Sequence, residues 1–443
     1  MDGPARGAAR PSRPPGARTA ARGRIVHIRL PYGSTEVELA IPARNLMAVV
    51  GPEAQGAGEG PPPVSEADEA AEVRRALREP IGSPRLAMLA RRASTAAVVV
   101  SDVTRPCPTY KFLPAILDEL SGVAVTVVFA LGAHRKHTRE EQAALIGHEA
   151  LERADVVDLD REDCLSLGVT SRGTPLEVFR PFLEADLRIC TGNIEYHYFA
   201  GFSGGAKAVM PGICTHAAIE ANHGMMLSSH AKAGILEGNP VREDIDEAGG
   251  IAGIDFIFNV ILDEEKRILR AVAGHYVDAF RAGARFYDEV FDLAIEAPAD
   301  VVVASPGGRP KDINLYQAQK TLDCVRGAVR KGGAVILVAE CVEGFGQATF
   351  EEWMRGMSSP GALVERIRRE FVLGGHKAAA VADLLGHADV YLVSAFPADV
   401  VREMGMTPSS SVAEAVGAAL ERCGSEARFV VVPHGHRVRV RSG

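Results

Sequence analysis

The sequence predicts an α/β protein of two domains, each a mostly parallel sheet covered by helices, with the active-site cleft between them. Three observations predict it. Short β-branched runs recur along the chain, segments of helical period separate several of them, and ionisable clusters follow particular strand ends. Such alternation favours parallel sheets covered on both faces. With 443 residues, the chain has room for two or three domains of about 150 residues, each with its own core.

The first 22 residues stand apart, with five arginines, four prolines, no lysine and one acid, Asp2. They contain no apolar stretch able to serve as a signal-peptide core, and Pro14-Pro15 interrupts an amphipathic helix. Residues 1–22 read as a disordered tail or a misplaced start codon rather than a targeting signal. Ile25 to Ile41 alternates apolar and polar residues around Pro31-Tyr32-Gly33-Ser34, the pattern of a β-hairpin. Gly51 to Pro63, ending in three prolines, reads as a loop.

Strands are expected at Ala97–Val100, Val123–Ala130, Val156–Leu159, Leu187–Cys190, Val301–Ala304, Ala334–Val338, Val390–Val393 and Phe429–Val432. Helical patterns cover Tyr110–Leu120, Glu140–Ala154 and Ile313–Arg330. A boundary near Ala297-Pro298-Ala299 divides an N-terminal catalytic and cofactor-binding domain, 23–296, from a C-terminal α/β domain, 297–443. The last strand is the element that could pack back on the N-terminal domain.

Composition excludes several classes. Hydrophobic residues make up 47% and charged residues 24%, near globular averages, which argues against wholesale disorder. A balance of 49 basic against 57 acidic residues, net −8, argues against a general nucleic-acid binder. No apolar run approaches the roughly 20 residues of a membrane helix. Cys107, Cys164, Cys190, Cys214, Cys324, Cys341 and Cys423 are scattered and never spaced C-x-x-C. That suits a reducing cytoplasm and removes the common structural zinc patterns.

Chemistry in open α/β sheets gathers at the carboxyl ends of strands. Asp102-Val103-Thr104-Arg105-Pro106 follows the first strand of the series, and Leu131 to His137, with His134, follows the second. The densest stretch follows Leu187–Cys190: Glu195, His197, Gly201-Phe202-Ser203-Gly204-Gly205, Lys207, Pro211-Gly212, His216 and His223. Ser305 to Asp312 follows Val301–Ala304 and runs into Tyr316-Gln317 and Lys320. Their placement points to a cleft between domains, a favoured ligand location.

Each candidate has a bland counterpart. His137, His148, His230 and His387 read as structural or exposed. His134 and His197 follow strands beside glycine-permitted loops and read as functional. The Gly201–Gly205 run matches neither the dinucleotide fingerprint nor the P-loop, so it is either an ordinary turn or a nest of N–H groups for an anion. Lys207 alone would be a surface lysine; beside that loop it could be a covalent anchor, since a desolvated amine moves toward its nucleophilic form. Arg105 could pair with Asp102 or grip a carboxylate bidentately. His223 could supply one ligand to a metal whose other donors come from a cofactor; spacing alone does not select nickel.

These residues carry a resemblance. His197-Tyr198-Phe199-Ala200-Gly201-Phe202-Ser203-Gly204-Gly205-Ala206-Lys207, then Pro211-Gly212 and His223, resemble the nickel-pincer lactate racemase family. Asp102 to Pro106, the Gly132/His134 loop, Gly238-Asn239-Pro240 and Tyr316 to Lys320 match it in the same order, from about Ile25 to the last strand. The resemblance implies a racemase or epimerase of 2-hydroxy acids that carries a nickel pincer nucleotide (a pyridinium-3,5-bisthiocarboxylic acid mononucleotide). It implies Lys207 as covalent anchor, His223 as nickel ligand, and His134 and His197 as paired acid/base residues. It also implies Asp102, Val103, Thr104, Arg105, Gly204 and Gly205 against the cofactor, and Arg105, Tyr316, Gln317 and Lys320 on the substrate. Cofactor-assembly enzymes are the implied partners. Ala206 departs from the family, where a larger basic residue is common.

The chemistry explains the parts. Removing the hydrogen on the second carbon as hydride avoids a carbanion beside a carboxylate, and a cofactor carries that step. The hydroxyl loses a proton in concert, a task for histidine. Two histidines are needed because the enantiomers present their hydroxyls from opposite sides. The competing readings are a nicotinamide-dependent 2-hydroxy acid dehydrogenase, for which no proper fingerprint exists, a histidine-metal hydrolase using His134, His197 and His223, and a non-catalytic cofactor binder.

Overall fold

The computed structural model describes residues 24–51, 65–105, 107–263, 265–370, 372 and 374–442. The 1–22 tail, most of the Gly51–Pro63 loop and Pro106 lie outside them. Two six-stranded sheets organise the rest. The first runs, in spatial order, Ile268–Gly274, Phe256–Leu262, Leu187–Asn193, Thr95–Ser101, Ala124–Ala130, Asp155–Asp158. All its ladders are parallel except the hairpin of Phe256–Leu262 with Ile268–Gly274. The second, entirely parallel, runs Thr407–Ser409, Asp389–Val393, Val329–Val338, Ala299–Ala304, Phe429–Val432, Leu46–Val49.

Central strands lack alternation because helices cover both faces. Ala96 to Val100 are each at most 2% exposed, and Val301 to Ala304 are 0% exposed. All eight expected strands are present. The expected Glu140–Ala154 helix is two, Arg139–Ile146 and His148–Arg153, because Gly147 has φ 85° and ends the first. The Ile313–Arg330 pattern is α-helical over Leu315–Val325 and 3₁₀ over Arg326–Ala328; Val329 already pairs with Ala299, so its last two residues belong to a strand. Phe256–Leu262 is an additional strand, fully buried, in which Asn259 interrupts the apolar run.

The segment 24–49, grouped by sequence position with the 23–296 body, belongs structurally to the second sheet. The hairpin Ile25–Tyr32 with Thr35–Pro42 inserts Leu30, Leu39 and Ile41 among Val301, Val303, Ile336 and Phe429. Leu46–Val49 then forms that sheet's edge. At the far end, Arg439–Ser442 pairs with Asp292–Ile295, and Arg437 donates to Leu262 O at 2.7 Å.

Strand order locates the crevice. From Thr95–Ser101 the chain builds outward through Ala124–Ala130 and Asp155–Asp158, then returns to place Leu187–Asn193 on the other side. Connections therefore diverge between Thr95–Ser101 and Leu187–Asn193, opening a gap at their carboxyl ends. Asp102 and the segment leading to His197 emerge there.

Candidate functional site

Asp102 leaves its strand buried, at 2% exposure. Its Oδ2 lies 2.6 Å from His134 Nδ1, and Thr104 Oγ1 donates to its Oδ1 at 2.8 Å. Burial pushes this carboxyl up, but the hydrogen bonds to His134 and Thr104, with the charges of His134 and Arg105, outweigh it and hold the group below its usual range. An ionised Asp102 makes Nδ1 of His134 the hydrogen-bearing nitrogen and leaves Nε2 with a lone pair. Asp102 thus orients His134; no ion pair between Asp102 and Arg105 occurs among the described residues. His137 is structural, its Nδ1 bound to Asp158 Oδ1 at 2.8 Å and its Nε2 accepting from Val103 N–H at 3.1 Å. Val103 is held by that bond while its side chain is 46% exposed.

His197 sits in the two-residue strand Tyr196–His197, paired with Gly201–Phe202. Ser203 closes this hairpin: its Oγ donates to Asn193 O at 2.8 Å and accepts from Glu195 N–H at 2.9 Å. Ala200 N–H donates to His197 Nδ1 at 3.2 Å. That nitrogen accepts, so the neutral ring carries its hydrogen on Nε2. Burial, followed by the charges of Lys207, Arg105, His223 and Lys320, pushes His197 well below the usual histidine range.

Glycine is required in the following loop by packing. A Cβ on Gly201 (φ 75°) would meet Ile235 O at 2.3 Å, and one on Gly204 (φ 82°) would meet Ile194 Cγ1 at 2.8 Å. Gly205 N–H donates to Asn259 Oδ1 at 2.7 Å, and buried Arg242 donates to the carbonyls of Phe202 and Gly204. The Gly205 amide is therefore committed to Asn259, which removes it from any anion nest. Ala206 is buried against Gly249, where a Cβ would lie 2.6 Å away, so a bulkier residue has no space. Gly238-Asn239-Pro240 begins the helix Pro240–Ala252; Asn239 caps it and donates to Phe199 O at 2.8 Å.

Lys207 lies in a 3₁₀ turn, Gly205–Ala208, with its Nζ 5.9 Å from the centre of the Phe199 ring. Burial, then Arg105 and Arg242, push the amine well below the usual lysine range. His223, in the last turn of the helix His216–Gly224, packs edge-on against Phe199 at 4.9 Å, and burial drives it down to about 3. In the second sheet's half, the helix Leu315–Val325 carries Tyr316, Gln317 and Lys320, and Lys320 Nζ donates to Gln317 Oε1 at 2.9 Å. Lys320 is lowered by burial and by Arg105, against an opposing pull from Glu195.

One cavity of about 260 Å³ collects most of these groups: Asp102, Arg105, His134, His197, Gly204, Lys207, His223 and Tyr316 line it. Val103, Thr104, Gly205, Gln317 and Lys320, expected at the site, do not line it. Sequence reading passed over Asn259 and Arg242, which set the loop; both are buried polar residues, Asn259 in an apolar strand and Arg242 in a charged helix, with no motif to mark them. The three cavity histidines do not form a metal-holding group among the described residues, so a histidine-only hydrolase centre has no ligand set. What the cavity offers is one imidazole with a free lone pair, a second with an N–H, an amine held below the usual lysine range, a lone potential ligand and a guanidinium. Among the described residues, no helix is long and apolar enough to cross a membrane.

The chain is similar to known proteins along most of its length. Residues 32–234 match the family model described as the lactate racemase N-terminal domain, and residues 294–440 match the lactate racemase C-terminal domain. The chain is 33% identical over 431 residues to a lactate racemase of Thermoanaerobacterium thermosaccharolyticum, covering 94% of this chain and 100% of that one. It is 32% identical over 384 residues to a lactate racemase of Lactiplantibacillus plantarum, covering 83% and 90%. The solved lactate racemase apoprotein from T. thermosaccharolyticum superposes with a TM-score of 0.86 over 94% of this chain and 100% of that chain, at 32% identity. A Thermotoga maritima crystal structure shares the fold at a TM-score of 0.61 and 18% identity, covering 86% of this chain and 99% of its own.

Proposed function

Because this chain belongs to the lactate racemase family and is an isomerase of the racemase class, we propose that it inverts the second carbon of lactate or a similar 2-hydroxy acid by proton-coupled hydride transfer. The observation that carries this reading is that His134, His197, Lys207 and His223 line a single cavity.

The residues fit the family's nickel pincer nucleotide. An amine held below the usual lysine range gives up its proton more readily, which suits Lys207 to acylation. His223 offers one imidazole, a donor suited to nickel. None of the seven cysteines lines the cavity, so sulfur donors have to come from the cofactor. When bound, that cofactor supplies the hydride acceptor. Asp102, Arg105 and Gly204 would lie against it, with Val103, Thr104 and Gly205 in the same loops, and enzymes that assemble it are the expected partners.

The chain's own residues handle the proton and the carboxylate. Arg105, with Lys320, Gln317 and Tyr316, holds the carboxylate and keeps the 2-oxo acid in place while it turns. His134 Nε2 takes the hydroxyl proton from one enantiomer, and Asp102 stabilises the resulting imidazolium. His197 serves the other face. To act as an acid it must gain a proton at Nδ1 and release the Ala200 N–H, a change that the Lys207 charge opposes. An amide at Lys207 is uncharged, so attachment removes the largest of those opposing charges and readies His197 for its step.

Intact-mass measurement on protein produced with the cofactor-assembly enzymes tests the anchor. Wild type should show a mass increment and Lys207→Ala none; an unchanged wild-type mass would sink the cofactor reading. A panel of single-enantiomer 2-hydroxy acids then identifies the substrate. Net oxidation on adding a nicotinamide cofactor would favour a dehydrogenase instead.

A further inference from the structure

The stretch Tyr196–Phe199 separates two cavities. His197 faces the catalytic one, whereas Tyr196, Tyr198 and Phe199 line a second, of about 790 Å³, whose far side comes from elements of the second sheet. His376 stands on that far side, and nothing described so far uses it. Its Nε2 lies 2.7 Å from Tyr198 Oη, with the two rings stacked at 5.7 Å and 11°. The His197 ring stacks on Tyr198 in turn, at 5.1 Å and 21°. Three near-parallel rings thus run from the catalytic cavity into the other half of the molecule.

His376 occupies an unfavourable position for a basic side chain. It is 4% exposed and lies in the first turn of the helix Gly375–Leu385, beside Lys377 at 3%. The positive end of the helix dipole and loss of water both oppose cations there. Burial accordingly drives His376 down to about 4, so the ring is neutral at neutral pH. Two glycines make the placement possible. A Cβ on Gly374 (φ 95°) would meet Gln347 Oε1 at 2.4 Å, and one on Gly375 would meet Trp353 at 2.7 Å.

Hydrogen bonds hold the ring at this helix start: Gly374 N–H lies 3.1 Å from His376 Nδ1, and Nε2 pairs with the Tyr198 hydroxyl. Lys377 Nζ donates to Tyr316 O at 2.6 Å and lies 3.6 Å from the centre of the Tyr316 ring. Tyr316 belongs to the catalytic wall. One turn of helix therefore grips a residue of each half of the cavity.

We propose that His376 is a positioning residue for the racemisation: by holding Tyr198 across the cleft it fixes the plane of the His197 ring against the substrate. This rests on His197 being one of the acid/base pair. A neutral side chain that reaches Tyr198 and does not line the catalytic cavity carries no proton to substrate itself. Its effect is on geometry, where a small misplacement lowers the catalytic step rather than binding.

The test compares cofactor-loaded wild type with His376→Ala, His376→Gln, Tyr198→Phe and the double variant Tyr198→Phe/His376→Ala. Tyr198→Phe and His376→Ala should each lower kcat about tenfold or more, with KM changed less than about twofold. The double variant should be no worse than the worse single. Glutamine, whose amide can still donate to Tyr198, should recover most of the rate. In the cofactor-free protein, the NMR signals of the His197 ring should move in His376→Ala and Tyr198→Phe and return in His376→Gln. Wild-type kcat in His376→Ala, additive losses in the double variant, or glutamine no better than alanine would each overturn the proposal, provided His197→Ala is inactive. Full activity in His197→Ala would instead overturn the acid/base reading itself, and this proposal with it.

Discussion

His134 and His197 face the same cavity, yet the protein treats them oppositely. His134 is 45% exposed, on a loop at the carboxyl end of a strand, and its Nδ1 meets the carboxylate of Asp102. His197 is half-buried in a short hairpin, and its Nδ1 meets a backbone N–H. A carboxylate partner leaves Nε2 as an acceptor; an N–H partner makes Nε2 a donor. One residue type therefore fills two roles before any ligand arrives. On the proposed mechanism, a symmetric reaction is run by an asymmetric pair.

The largest effects come from deleting either member. His134→Ala and His197→Ala should each lower racemisation by at least about 10³-fold, the scale of a lost acid/base group, with the cofactor still bound. The enantiomers have equal energy, so kcat/KM must fall by the same factor in both directions and cannot tell the two histidines apart. Single-turnover formation of 2-oxo acid can. His134→Ala should retain it from one enantiomer only, and His197→Ala from the other only. If both variants oxidise the same enantiomer, the assignment of one histidine to each face is wrong.

Asp102→Asn erases the contrast while keeping the shape. The asparagine oxygen can still accept from Thr104, and its NH₂ then faces His134 Nδ1. His134 would be forced into the tautomer that His197 already has, with no lone pair on Nε2. We expect a loss of about 100-fold in kcat/KM, with little change in the melting temperature because the side chains are isosteric. Near-wild-type activity in Asp102→Asn would show that His134 needs no carboxylate partner.

The sequence made the strands visible because buried parallel strands are continuous β-branched runs, and Val98 to Val100 or Val301 to Val303 leave little ambiguity. It concealed elements whose cause is distant. Leu46–Val49 is a strand only because Phe429–Val432 lies beside it, at the other end of the chain. Phe256–Leu262 was masked by Asn259, whose polar side chain is there to bind Gly205. The site shows the same division. His134, His197, Lys207 and His223 could be picked out because strand ends and a matching motif flag them. The partners that decide what each histidine does could not: Asp102 reads as a cofactor contact or an Arg105 partner until its distance to His134 is known. His376, 178 positions from Tyr198, has no local signal at all.

The contrast between the two histidines is partly electrostatic, and that part can be changed without touching either ring. Burial is the first cause of the low pKa of His197, and the Lys207 charge is the second. Lys207→Met keeps the length and apolar stem of the side chain and removes the charge. In the cofactor-free protein, the His197 pKa should therefore rise in Lys207→Met, read by NMR titration of the ring. The sign follows because a cation disfavours the imidazolium, and deleting it lets the proton bind at higher pH. The rise should stop short of the ordinary histidine value, since burial, Arg105 and Lys320 still act. An unchanged His197 titration would mean that burial alone keeps its ring neutral, and that attachment at Lys207 does not prepare it for its proton step.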